Sequence, residues 1–181
     1  IFTKSRRALT LTSFYPIVAP YTNEGWALDP VLDFGDALMA ESADYLVHLT
    51  VQDPGVFPVT TGTQRSMMTE EEGRRYRFEA SKARDFSAVL LVEHIEHTLQ
   101  TDGYTIRSWF APEHEVAAVL STEMAAFSFA QYRALLGGAP TTEVELVEVP
   151  LNRAAGVEFD GLILVGSSYA TAPDSLFFSI I

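Results

Sequence analysis

The 181-residue sequence has no cysteine, little positive charge and no long apolar run, and each absence removes a class of function. Without cysteine there is no disulfide framework, no thiol nucleophile and no thiolate-ligated zinc or iron-sulfur centre. Lysine and arginine number 12 against 24 aspartates and glutamates, a formal charge of -12, so the electrostatic footprint that nucleic acid or an anionic lipid surface requires is missing. No apolar stretch approaches the roughly 18 to 20 residues of a membrane-spanning helix. Phosphate-cradling loops and dinucleotide fingerprints are absent too, and Gly166-Ser167-Ser168 lacks the closing glycine of a G-x-S-x-G nucleophile elbow. What is present is apolar material: 48% of residues are hydrophobic and 12% aromatic, enough to pack one or two domains and too much for a disordered chain.

Residues 1–99 read as β structure. Short segments rich in Val, Leu, Ile, Phe and Tyr are separated by turn clusters at Asn23-Glu24-Gly25, Asp53-Pro54-Gly55 and Thr61-Gly62-Thr63. Tyr45 to Val51 alternates as a half-buried strand does, Arg74 to Ala80 alternates charge with Tyr76 and Phe78 as an edge or surface strand does, and Ala88 to Val92 suits a sheet core. The expectation is part of an antiparallel β-sandwich, with a helical turn suggested by Ala37, Leu38 and Met39 within Gly35 to Ser42.

The texture changes after the turn Thr101-Asp102-Gly103, which marks a domain boundary, so the fold class expected is α+β with a second unit over 100–181. One strand, Tyr104 to Phe110, precedes a helix predicted from Glu113 to Leu136. Pro112 suits its first position, Glu113 and Glu115 complement its positive end, and Gly137-Gly138 supply the stop. Val116, Val119, Leu120, Phe127, Ala130 and Ala134 recur at spacings of three and four and predict its buried face. A strand at Glu143 to Val149 ends at Pro150, a loop follows over Asn152 to Gly161, and a third strand covers Leu162 to Val165. The chain closes on Leu176-Phe177-Phe178-Ser179-Ile180-Ile181, which reads as the start of an element.

Candidate chemistry is sparse. Glu93-His94-Ile95-Glu96-His97 has the residue types of a zinc site, but as a continuation of the Ala88 strand it would send His94 and His97 to opposite faces, so both are expected as solvated strand positions. His48, in a strand, and His114, in the first helical turn, have no titratable partner nearby in sequence and read as structural or surface residues. Glu70-Glu71-Glu72 reads as a charged turn. The segment Ala155-Gly156-Val157-Glu158-Phe159-Asp160-Gly161 puts a carboxylate between two glycines beside a strongly apolar strand, where a backbone can approach a ligand and pair with an extended peptide. A tight strand connection with a surface glutamate is the simpler reading of spacing alone.

Two stretches together resemble the aminopeptidase-N-like zinc metallopeptidases of the gluzincin clan, in particular a bacterial branch. The first is Tyr15-Pro16-Ile17-Val18-Ala19-Pro20-Tyr21, Gly25-Trp26-Ala27-Leu28-Asp29-Pro30, Gly35-Asp36, Ala43-Asp44-Tyr45, Leu49-Thr50-Val51 and Val59-Thr60-Thr61-Gly62. These follow the order of motifs in that family's N-terminal β domain, and Arg84-Asp85-Phe86 resembles its R-D-F turn. The second runs from the Gly103 strand through the helix and Leu146-Val147-Glu148-Val149-Pro150 to Ala155–Gly161, at the place of the exopeptidase motif G-G-M-E-Y-P-G. Glu158 and Gly161 match, Gly156 is an accepted variant, and Ala155, Val157, Phe159 and Asp160 depart.

The resemblance implies a β-sandwich part over 1–99 and the start of a thermolysin-like catalytic domain over 100–181. It implies a peptide substrate with a free N-terminus, whose α-amine Glu158 would hold while Gly156 and Val157 supply backbone contacts. It implies zinc as the cofactor of the parent and the remainder of the catalytic domain as a partner. The sequence contains no H-E-x-x-H, so this chain alone is expected to bind no zinc and to hydrolyse nothing. The same resemblance implies that the sequence stops just before the catalytic helix and lacks the first part of the β domain. The rival expectation is a non-catalytic β-sandwich or scaffold module that binds peptides or glycans.

Overall fold

The computed structural model describes residues 3–28, 41–101, 103–138, 141–151 and 154–171. The helical turn expected at Gly35–Ser42, apart from its last two residues, and the apolar run Leu176–Ile181 lie outside the described residues. In chain order the strands are β1 (Ala8–Leu11), β2 (Tyr21–Thr22), β3 (Gly25–Trp26), β4 (Ala43–Val51), β5 (Phe57–Thr60), β6 (Thr63–Glu70), β7 (Gly73–Ala83), β8 (Ala88–Leu91), β9 (Ile95–Thr101) and β10 (Tyr104–Phe110). Helix α1 (Glu115–Leu136) follows a 3-10 turn at Pro112–His114. Then come β11 (Glu143–Val149), β12 (Gly156–Phe159), β13 (Leu162–Gly166) and a short α2 (Ser167–Ala170). The described chain is therefore mostly β with two α-helices.

Four sheets form among the described residues: β1-β8-β5, β4-β7-β6, the small hairpin β2-β3, and a five-stranded sheet in the order β12-β13-β11-β10-β9. Of the two readings of Arg74–Ala80, edge strand or surface strand, the first is corrected: β7 is the centre of its sheet, paired with β4 on one side and β6 on the other. Its charged alternation marks the outward face, Arg75, Arg77 and Glu79, while Tyr76, Phe78 and Ala80 are buried with Phe86 and Val51. The acidic turn at 71–72 joins β6 to β7 as expected. Gly62, at φ +84, turns the chain from β5 to β6, and a Cβ there would stand 2.5 Å from the Glu79 carbonyl oxygen, so only glycine fits.

Sheet membership changes between Leu91 and Ile95, where Glu93 adopts φ +52. β9 then pairs antiparallel with β10. From β10 the chain crosses through α1 to β11, which lies parallel to β10, and β11 in turn is parallel to β13. Such a crossover needs a helix-length connection, which α1 supplies. Gly137 ends the helix at φ +77, its N–H bonded to the Arg133 carbonyl at 3.0 Å.

The face of α1 is not the one predicted. Ala117, Ala118, Ser121, Thr122, Ala125 and Ala126 are buried against the sheet, whereas Val116, Leu120 and Phe127 are exposed, as are Ala130 and Ala134, and Val119 is half-buried. The reason lies in volume: Tyr104, Ile106, Phe110, Val144 and Leu146 fill the space between sheet and helix, so the helix closes over them with small side chains. On the other face of the same sheet, Val147, Val149, Leu162 and Leu164 pack with Ala8, Val59, Val89 and Leu91, which joins the N-terminal strands to the five-stranded sheet in one core.

Candidate functional site

β12 forms one edge of the five-stranded sheet and β9 the other. The loop expected over Asn152–Gly161 is in its second half this strand, because Asp160 and Gly161, the latter at φ +75, make a two-residue turn that pairs Phe159 with Leu162 and Gly156 with Val165. Val157 and Phe159 rest, half-buried, on the core shared with the N-terminal strands, which fixes which way the short strand faces. Asp160 accepts the Arg84 backbone N–H at 2.6 Å and so ties the hairpin to the turn between β7 and β8.

Gly166 N–H donates to the Ala155 carbonyl at 2.8 Å. The alternation of an antiparallel ladder then turns the backbone groups of Ala155, Val157 and Phe159 toward β13 and those of Gly156 and Glu158 toward the open edge. Of the three sequence-predicted site residues, Gly156 and Glu158 therefore offer backbone donors and acceptors to an added strand, while Val157 contributes packing and its backbone serves β13. The Glu158 side chain is exposed, opposite Ile163, on the face of the sheet that carries α1. Among the described residues it takes no hydrogen bond or ion pair, which leaves its carboxylate available to a ligand cation.

Near this edge lie the carboxyl ends of the parallel strands β10, β11 and β13, the region where open α/β sheets hold ligands. Here Glu148, only 4% exposed, accepts the Ala111 backbone N–H at 3.0 Å and a bond from His114 Nδ1 at 2.9 Å. Sequence reasoning missed this pair, since 34 residues separate the partners. A cleft of about 390 Å³ adjoins it, with Arg7, His94, Glu113 and Ser167 among its walls. Arg7 bridges Glu113 and, at 3.6 Å, Glu93. Glu113's own backbone amide, with Arg7, holds that carboxyl below the usual carboxylate range. His94 sits in the bend before β9, its Nδ1 at 2.9 Å from the Val92 carbonyl, and His97 stands opposite Ser108 within β9. Both are half-buried rather than solvated, and the strand expected to carry them through from Ala88 is broken at Glu93. Among the described residues no three His, Asp or Glu side chains come together as metal ligands.

On the opposite face of the sheet, a cleft of about 330 Å³ is built around Arg107. Its guanidinium contacts Glu145 at 2.7 Å and Glu143 at 3.3 Å, Trp109 Nε1 donates to Glu145 at 2.7 Å, and Thr63 Oγ1 donates to Glu143 at 2.6 Å. Burial pushes the Glu145 carboxyl above its ordinary range, against the hydrogen bonds of Trp109 and Arg107 that pull it down. These donors and acceptors satisfy one another and fasten the β5–β6 turn to the sheet.

The arrangement among the described residues is mostly β, with a mixed sheet that has β12 as a short edge strand and a Glu158 carboxylate that takes no partner there. Comparison with protein-family models finds no match, and no curated protein matches the chain.

Proposed function

We propose that this chain is the substrate-recognition part of a zinc-dependent metallopeptidase of aminopeptidase type. In this reading residues 1–99 belong to a β-sandwich domain and residues 100–181 to the opening of a thermolysin-like catalytic domain. The supporting observation is the edge at β12, where the outward backbone of Gly156 and Glu158 stands beside a Glu158 carboxylate that has no partner among the described residues. An extended peptide adding to this edge gains main-chain hydrogen bonds, and a carboxylate at the end of that track selects a free α-ammonium over a blocked terminus. Zinc is the parent's cofactor in this proposal. The described residues offer no ligand set for it, so its ligands would come from the remainder of the catalytic domain.

Calorimetric titration of the chain with a tetrapeptide and its N-acetylated twin tests the reading. The free-amine peptide should bind at least tenfold more tightly, and Glu158→Gln should erase that difference, since removing such a partner costs about 2 kcal/mol or more. Equal binding of the two peptides by the native chain would remove the amine-anchor role and leave a peptide-binding module without terminus selection. No binding of either peptide would defeat the edge-strand reading altogether.

A further inference from the structure

A third cleft, of about 520 Å³, lies between the Tyr15–Tyr21 segment, the β2–β3 hairpin and the start of β4. Four aromatic rings line it, from Tyr15, Tyr21, Trp26 and Tyr45, together with the Glu41 carboxylate. The rings stand as two nearly perpendicular pairs: Tyr21 and Trp26 at 4.9 Å and 75°, and Tyr15 and Tyr45 at 5.9 Å and 72°. Tyr15 and Tyr45 are pinned from behind, since the Tyr15 hydroxyl accepts the Phe86 N–H at 2.8 Å and the Tyr45 hydroxyl donates to the Arg84 carbonyl. Tyr21 and Trp26 remain 69% and 58% exposed, a large open aromatic surface for a hairpin this small.

Charge selects what such a surface takes. From Tyr21 to Tyr45 the sequence carries Glu24, Asp29, Asp33, Asp36, Glu41 and Asp44 and no lysine, arginine or histidine. Among the described residues no basic side chain lines the cleft. Aromatic faces attract cations through their quadrupoles, most strongly cations that are weakly hydrated. A primary ammonium needs three hydrogen-bond acceptors, whereas a methylated one needs only ring faces and a nearby negative charge. We propose that this cleft binds a quaternary or N-methylated ammonium group, with Tyr15, Tyr21, Trp26 and Tyr45 as the cage and Glu41 as the counter-charge. The cleft shares no lining residue with β12.

Titration of the full chain with choline, and in parallel with its neutral isostere 3,3-dimethyl-1-butanol, tests this by calorimetry. Choline should bind about tenfold or more tightly than the isostere, in keeping with a desolvated cation–π contact. Trp26→Ala should lose that binding and Glu41→Gln should weaken it several-fold, while Glu158→Gln leaves it unchanged. Circular dichroism checks that each variant folds, and Glu41→Gln, a surface substitution, keeps the test open if Trp26→Ala does not. Equal binding of choline and the alcohol would make the cleft merely apolar and overturn the proposal. Saturable binding of an oligosaccharide such as cellotetraose without choline binding would make it a sugar platform and overturn the proposal equally. So would the absence of any saturable choline binding.

Discussion

On its helix side the five-stranded sheet is closed by alanines, Ser121 and Thr122 of α1, whereas on its strand side it is closed by large aliphatics at one end and by the Arg107 network at the other. The helix side carries the buried carboxylate Glu148, paired with His114, at the carboxyl ends of the strands; the strand side gathers Glu143 and Glu145 around one guanidinium near their beginnings. The two faces thus use polarity differently. Glu148 is sealed and its partners are few, so its loss leaves buried groups stranded. The Arg107 cluster is open to water at its margin, so solvent replaces part of whatever is removed.

The largest effect expected in the molecule follows from that difference. Glu148→Ala strips the acceptor from the Ala111 N–H and from His114 together, and should lower unfolding stability by about 3 kcal/mol in urea titrations. Glu148→Gln, which retains an acceptor, should cost visibly less. If the two variants are equally damaged, the negative charge rather than hydrogen bonding holds the strand ends together. Next in size is Ala125→Leu. The added volume meets Tyr104, Ile106 and Leu146 across a closed interface and should cost about 1–3 kcal/mol, read by the same titration.

How much of this is legible in the sequence depends on the range of the signal. Pro112 and Gly137 delimit α1 because they act on their own backbone, and the structure starts the α-helix only two residues later than expected. The packed face is not legible, because large apolar residues at helical spacing announce a stripe without saying what it meets. The interleaved Ala117, Ala118, Thr122 and Ala125 have little hydrophobic signal of their own. Nor does the pattern place β7 at the centre of its sheet, because alternating charge reports one wet face, and an edge strand with one wet face looks the same. At the candidate site, Glu158 stands out because glycines flank it in sequence. The Glu148–His114 pair and the Arg107 cluster are made by partners 34 to 80 residues apart, and no local pattern encodes them.

The strand side can be separated from the helix side by pH. Burial raises the Glu145 carboxyl above its unfolded value, so the folded state binds this proton more tightly than the unfolded chain. Its contribution is therefore fully present below the ordinary glutamate range and is lost as pH rises through the folded value. Glu145→Gln should remove that slope: relative to the native chain, the variant gains stability as pH rises from the ordinary glutamate range through the raised folded-state value. Urea midpoints measured across that range decide it, and a difference that moves the other way with rising pH would mean that Arg107 and Trp109 outweigh burial.

The smallest effect is expected on the outer surface of α1, and it sharpens the comparison most. Phe127 is 62% exposed, whereas its neighbours Ala125 and Ala126 are buried against the sheet. In the isolated chain Phe127→Ala removes little that is buried, so unfolding stability should change by about 0.5 kcal/mol or less. Because Phe127 faces solvent and Ala125 faces the sheet, Phe127→Ala combined with Ala125→Leu should be close to additive, which a double-mutant cycle reads directly. A loss of about 2 kcal/mol or more on Phe127→Ala would instead approach the cost of a fully buried aromatic. That result would make the outer stripe of Val116, Leu120 and Phe127 a packed face in solution, and α1 a helix enclosed on both sides rather than a lid over one sheet.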